Sequence, residues 1–184
     1  VAVPMAYAAD NDGFVSLIDP GDFKKGWIVQ GLEFTGPKFN EDEKALWFRG
    51  FDWWALITEK PYKDFTLKFE VKFDEREGKA SNSGILLRTP KEKIFEDQEH
   101  AFEIQLIECF EKKPDAKISG AIFGAQAPSS NPIKKRGEWN AVEITLQGQK
   151  LLVKINGEVV QDVADVSKVE GAPKLRPEGH IAFQ

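Results

Sequence analysis

One cysteine, Cys109, and two histidines, His100 and His180, are all that this 184-residue chain has of the side chains most used for metals and nucleophilic chemistry. A lone cysteine excludes an intramolecular disulfide and any zinc site built on cysteine. A Ser-His-Asp site would have to draw on one of those two histidines, and the G-x-S-x-G elbow is absent. So are the Walker loop and the G-x-G-x-x-G fingerprint, the usual cradles for phosphates and dinucleotides. Positive charge is in deficit: the net charge is −5, so neither nucleic acid nor an anionic membrane is an expected partner, since both favour a basic face. No run approaches the ~20 apolar residues of a membrane-spanning helix. The 30 acidic residues form no calcium-loop pattern. His100 and Glu103 have a spacing that suits a metal pair, but positions i and i+3 of a strand face opposite ways. Also missing is any apolar stripe of helical period over three turns.

What the chain has instead is alternation. In DFTLKFEVKF, Phe65, Leu67, Phe69, Val71 and Phe73 alternate with Thr66, Lys68, Glu70 and Lys72, the pattern of a strand with one face buried and one in water. Val142, Ile144 and Leu146 repeat it, Gly148 interrupts, and Leu151, Val153 and Ile155 resume it. Asn156-Gly157 then separates two strand-like runs, a strong hairpin signal. LWFRGFDWWALIT around Gly50, SGAIFG and HIAFQ add further strands, and short helical turns are expected at Lys91–Gln98 and Asp162–Val169. Turn signals recur at short intervals, among them Asp19-Pro20-Gly21, Lys60-Pro61, Thr89-Pro90 and Asn131-Pro132. Many short strands between such turns predict an all-β fold, an antiparallel sandwich or barrel. Apolar residues at 41% and charged ones at 30% suit one globular domain with a sizeable core. The opening VAVPMAYAAD looks like the tail of a secretory signal peptide with an A-x-A cleavage site. Residues 1–9 are therefore read as a signal remnant and 10–184 as one sandwich domain. That implies export to the periplasm, the cell surface or the exterior; the alternative is an ordinary N-terminal strand.

Three polar residues interrupt otherwise apolar strands. In SNSGILLRTP, Gly84, Leu86 and Arg88 share a face by alternation. In HAFEIQLIE, Ala101, Glu103, Gln105 and Ile107 share one, opposite the wholly apolar Phe102, Ile104 and Leu106. If the two strands are neighbours, Arg88 and Glu103 converge on one surface, and a curved sheet would make that surface a groove. The plainer alternative is the polar outer face of a half-buried sheet, with Arg88 and Glu103 as a cross-strand ion pair.

Several stretches, in order, resemble one family: Gly13–Val29, Ile57–Phe73, SNSGILLR at Ser81–Arg88, FEIQLIE at Phe102–Glu108, Ser119–Val160 and GHIAFQ at Gly179–Gln184. The succession NSGI-x-x-R, E-x-Q, GAI-[YF]-G and GEW-N resembles the 3-keto-disaccharide hydrolase domain, also called domain of unknown function 1080. The resemblance implies a concanavalin A-like jelly-roll β-sandwich of two antiparallel sheets, an exported protein, and a carbohydrate or oxidised glycoside as partner. It implies cleavage of glycosides already oxidised to a ketone at C3. Carried onto this chain, Glu103 is the candidate base, and Arg88 would hold the ketone or enolate oxygen. Gln105 would orient hydroxyls, and Gln126 and Asn131, on the loop after GAIFG, would line the groove. A divalent metal is a further candidate for the enolate role, with no ligands named by the sequence; no other cofactor is implied.

The chain departs from the family pattern in two places. Gly31–Gly50 replaces a short hairpin, which would change one rim of the groove. The segment that normally follows Ile-x-Leu-Gln, with an Asp-His-Gly and a closing strand, is not within these 184 residues: if Gln184 is the true end, the sandwich lacks its last strand and the site a histidine; if the protein continues, the catalytic residues named here are incomplete. Two rival functions share the fold: a non-catalytic lectin-like module that binds hydroxyls with Arg88, Glu103 and Gln105, and a structural or assembly subunit.

Overall fold

The structure, a computed structural model, describes residues 2–4, 13–19, 22, 24–31, 38–47, 54–75, 81–92, 94, 96, 99 and 101–184, with 2–4 and 54 described by backbone alone. Within them the alternating segments are strands. In β6 (Phe65–Lys72) the buried set is Leu67, Phe69 and Val71. β9 (Trp139–Gln147) pairs with it antiparallel along its length, and buries Val142, Ile144 and Leu146. β10 (Lys150–Ile155) returns after Gly148, whose φ of 56° is one that a β-carbon disfavours. β11 (Glu158–Val163) follows the Asn156-Gly157 turn, where both residues have positive φ, 53° and 81°, the backbone of a type I′ hairpin. The water-facing side of this sheet carries cross-strand pairs: Thr66 with Thr145 at 3.0 Å, and Glu143 between Lys154 at 3.1 Å and Lys68 at 3.9 Å.

β1 (Ala2–Pro4), β3 (Lys38–Asn40) and β4 (Ala45–Trp47) complete a seven-stranded sheet of order β11-β10-β9-β6-β1-β4-β3. The described part of Gly31–Gly50 thus extends this sheet. Of the segment read as a signal remnant, residues 2–4 pair with β4 and β6; residues 1 and 5–9 lie outside the described residues.

The second sheet has five strands: β2 (Trp27–Gly31), β5 (Trp54–Thr58), β12 (His180–Phe183), β7 (Asn82–Thr89) and β8 (Glu103–Ile107), in that order, all antiparallel. The inner faces of both sheets meet in one core, where Phe183 packs edge-on against Trp27 and Phe69 at centroid distances of 5.8 and 5.3 Å. This is the jelly-roll β-sandwich the sequence predicts. A 3-10 turn spans Val166–Lys168, capped by Asp165. Of the turn expected at Lys91–Gln98, four of the eight residues lie outside the described set. SGAIFG is a correction: it forms a tight turn beside β8, joined by single bridges of Ile122 to Ile104 and Gln126.

Candidate functional site

The outer face of the five-stranded sheet carries two of the candidate residues, Glu103 and Gln105. Register across its strands produces two rungs. One runs Ile28, Ile57, Ala182, Leu86, Glu103. In the next, Gln30 pairs with Ala55 and Gly84 with Gln105. The N–H of Gln184 donates to the Gly84 carbonyl at 2.9 Å, which sets Gln184 on this rung too. Most of the first rung is apolar and covered: Ile94, fully buried, sits on Ala55, Ile57, Leu86 and Ala182, and its N–H donates to Gln30 Oε1 at 3.3 Å. Ile94 therefore closes one part of the face, and Glu103, half-buried, lies at the other end of the rung.

Glu103 is half-buried at the first position of β8. Its carboxylate leans over Gly84: a β-carbon placed there would lie 2.0 Å from Oε1. The glycine of NSGI is thus the space the carboxylate occupies. No side chain among the described residues donates to it, and burial without a donor pushes its pKa up to about 7. Gln105 shares the face and is almost wholly buried, its Oε1 accepting from the Leu106 N–H at 2.9 Å. Gln184 continues the alternation of buried Ile181 and Phe183, which turns its side chain to the outer face.

Arg88 does not join them. Between β7 and β12 the register shifts: Ala182 faces Leu86, but His180 faces Thr89, so β7 carries one extra residue. Arg88 takes a φ of 50° in this bulge, and the bulge breaks the alternation that put it beside Glu103. Its side chain, 1% exposed, donates to the carbonyls of Lys63 (2.6 Å), Gly148 (2.9 Å) and Arg176 (3.1 Å) and to Asp64 Oδ1 (3.2 Å). It ties the corner before β6, the β9–β10 turn and the loop at Arg176 to β7. Desolvation lowers its pKa, against the opposing pull of Asp64.

Gln126 and Asn131 are likewise committed to loops. Gln126 Nε2 donates to Gln161 Oε1 at 2.8 Å, and Gln161 Nε2 returns bonds to the Gly120, Gln126 and Ala127 carbonyls. Asn131 Nδ2 donates to the carbonyls of Cys109 (2.6 Å) and Lys112 (2.9 Å). Of the five residues singled out from sequence, the structure brings together Glu103 and Gln105. Sequence reasoning missed Gly84 and Gln184 as members of the site; both stood in quoted motifs, but only the pairing of distant strands joins them to Glu103. His100 lies outside the described residues. His180 is held by its Nδ1, 2.7 Å from the Thr58 carbonyl.

Among the described residues, no group of three or more His, Cys, Asp or Glu side chains could hold a metal ion, so no ligand set for the candidate divalent metal emerges. No helix is long and apolar enough to cross a membrane. An apolar cavity of about 570 Å³, walled by Phe14, Trp27, Phe65, Phe69 and Phe183, opens between the sheets and does not include Glu103.

Comparison with solved structures returns carbohydrate-related sandwiches. A Parabacteroides distasonis ATCC 8503 protein, proposed by its name to be a glycosyl hydrolase, is 27% identical over 71% of this chain and 74% of its own, with a TM-score of 0.59. A second from that organism, similarly named, is 18% identical over 92% of this chain and 86% of its own, with a TM-score of 0.64. The carbohydrate-binding module CBM66 from Bacillus subtilis is 13% identical over 86% of each chain, with a TM-score of 0.50. No curated protein matches the chain. The family description 3-keto-alpha-glucoside-1,2-lyase-like domain matches residues 13–184. With that match over nearly its whole length, on the fold the family resemblance implies, the chain belongs to the 3-keto-alpha-glucoside-1,2-lyase-like domain family.

Proposed function

We propose that this domain cleaves glycosides carrying a ketone at C3, with Glu103 as the general base. The observation that carries the reading is a half-buried carboxylate with no donor among the described residues, set over a bare glycine, with a pKa of about 7. A base works best when its pKa lies near the working pH, and burial beside a substrate is a usual way to bring a carboxylate there. The family match supports the substrate class.

The chemistry asks little more of the protein. A C3 ketone acidifies the C2 proton. Glu103 takes that proton, and the C2–H electron pair forms the enolate between C2 and C3. The enolate electrons return as the C1–O bond breaks, and the departing oxygen takes a proton from Glu103 or water. Water then adds across C1 and C2, which completes a net hydrolysis. The developing enolate oxygen needs a donor. Arg88 is spent elsewhere, so the role falls to an amide on the Gly84 rung, and Gln184 is the candidate. Gln105 is left for hydroxyls. A divalent metal would add Lewis acidity at the same oxygen, but the described residues do not fit one, and no step here depends on it. Export remains part of the proposal, on what the family resemblance implies, since Ala2–Pro4 of the signal-like opening pair with β4 and β6 as a strand.

The test is aglycone release from a 3-keto-α-glucoside by the wild-type chain and Glu103→Gln. Turnover that disappears in Glu103→Gln supports the reading. Equal turnover in both removes Glu103 as base. A folded wild-type chain that binds the glycoside without cleaving it leaves the second reading, a carbohydrate-binding module, which the likeness to CBM66 favours.

A further inference from the structure

Large apolar side chains exposed on the described surface are few: Phe14, Val15, Val29, Phe123 and Val159. Phe14 lies under the Lys68 ammonium, 4.1 Å from its ring centroid. Phe123, 43% exposed, has no such cover among the described residues, and its backbone lies directly beside Glu103. Its N–H donates to the Glu103 carbonyl at 3.0 Å, and the Gln105 N–H donates to the Ala121 carbonyl at 3.0 Å. These bonds flank the bridge of Ile104 to Ile122, two residues buried in the core. Ile122 is turned inward, and Phe123, whose N–H meets the Glu103 carbonyl, opens the turn at the edge of β8 with 43% of its surface in water.

The backbone holds this ring in place. The Ile122 and Gln126 N–H groups each donate to the other's carbonyl at 3.0 Å, and the Gly124 N–H reaches the Ala116 carbonyl at 2.8 Å. Gly124 supplies the positive φ, 74°, that the turn requires. The Gln126–Gln161 pair fastens the turn to β11. A turn that leaves 43% of an aromatic side chain in water beside a carboxylate gains less for the fold from it than a core phenylalanine gives. It does suit a pyranose, whose C–H face is apolar while its rim carries hydroxyls.

We propose that Phe123 is a stacking platform for the C–H face of a pyranose ring bound beside Glu103, and that Gln126 acts through it as a positioning residue. This rests on the carbohydrate reading above but not on its catalytic step. The experiment is calorimetric titration of a 3-keto-α-glucoside into Glu103→Gln, which cannot consume it, alone and combined with Phe123→Ala or Phe123→Trp. Phe123→Ala is expected to weaken binding roughly tenfold, and Phe123→Trp to retain it. In the Glu103 background, Phe123→Ala should raise KM by a similar factor and leave kcat nearly unchanged. The position is exposed, so the far-UV circular dichroism should not change. Affinity and KM equal to wild type in Phe123→Ala would overturn the proposal, as would a wild-type chain that binds no glycoside. Binding that depends on Phe123 in a wild-type chain without turnover would uphold it and remove only the catalytic reading.

Discussion

A carboxylate that is buried without gaining a donor holds its proton more tightly in the folded chain than in the unfolded one. For Glu103 the folded value is about 7, against about 4.3 for a free glutamate. Below pH 4 both states carry the proton, and Glu103 costs the fold nothing. Between the two values the unfolded chain releases its proton first, so the folded state is progressively penalised. Above pH 7 the penalty is complete, on the order of 1–3 kcal/mol. Glu103→Gln, which keeps the shape and removes the charge, should therefore match wild type in thermal unfolding at pH 4 and exceed it at pH 8. The same carboxylate must be ionised to act as a base. The kcat/KM of the wild-type chain for a 3-keto-glycoside should rise with pH to a plateau, with its midpoint near 7. A midpoint near 4 would mean that the carboxylate is better solvated than its position over Gly84 implies.

At the scale of the element, β7 combines two devices that alternation alone does not separate. Gly84 makes room for the carboxylate from the neighbouring strand. Its φ is not positive, so alanine is tolerated by the backbone, and the atom it would strike is the far end of a side chain that can move. Gly84→Ala should fold, lose most turnover, and shift the pH–rate midpoint down as Glu103 is pushed toward water; an unchanged midpoint would show that the carboxylate never occupied that space. Arg88, four residues on, belongs to the fold. Replacing it with methionine takes its donated bonds from three carbonyls, while half-exposed Asp64 keeps the Gly148 N–H at 2.7 Å, an expected loss of about 2–4 kcal/mol in urea unfolding. Gly179 packs so closely here that a β-carbon would lie 2.3 Å from the Arg88 carbonyl oxygen. This contrast marks the limit of reading the sequence. Period two located β6, β9 and β10, the Asn156-Gly157 turn, and the face carrying Glu103 and Gln105, because those depend on neighbours along the chain. The extra residue in β7 depends on its pairing with β12, about ninety positions away, and one such residue reverses the face of Arg88. Gln126 and Asn131 were placed in the groove because they are polar loop residues after GAIFG; their actual partners, Gln161 and the Cys109 and Lys112 carbonyls, are set by packing between distant loops.

The order of strands ties the whole molecule together. β12 lies between β5 and β7 in the five-stranded sheet, although it comes more than ninety residues after β7 and more than one hundred and twenty after β5. Neither half of that sheet can reach the other until this strand is in place, so the sheet has no stable part-built form. Its inner residues, Ile181 and Phe183, also reach the other sheet, where Phe183 meets Phe69 on β6. Pairing over such separations makes folding slow and unfolding cooperative. Ala182 is fully buried on the outer face and faces Ile57 on one side and Leu86 on the other. Proline there removes a donor from the middle of a sheet, a cost of about 3 kcal/mol or more. Ala182→Pro should lower the urea midpoint equally by two probes: the fluorescence of Trp139, in the seven-stranded sheet, as the only tryptophan retained, and far-UV circular dichroism. Glycoside binding at Glu103, on the first rung with Ala182, should fall in step. If Trp139 kept its wild-type midpoint while binding was lost, the two sheets would be separately stable, and the shared core around Phe183 would not be what couples the site to the rest of the fold.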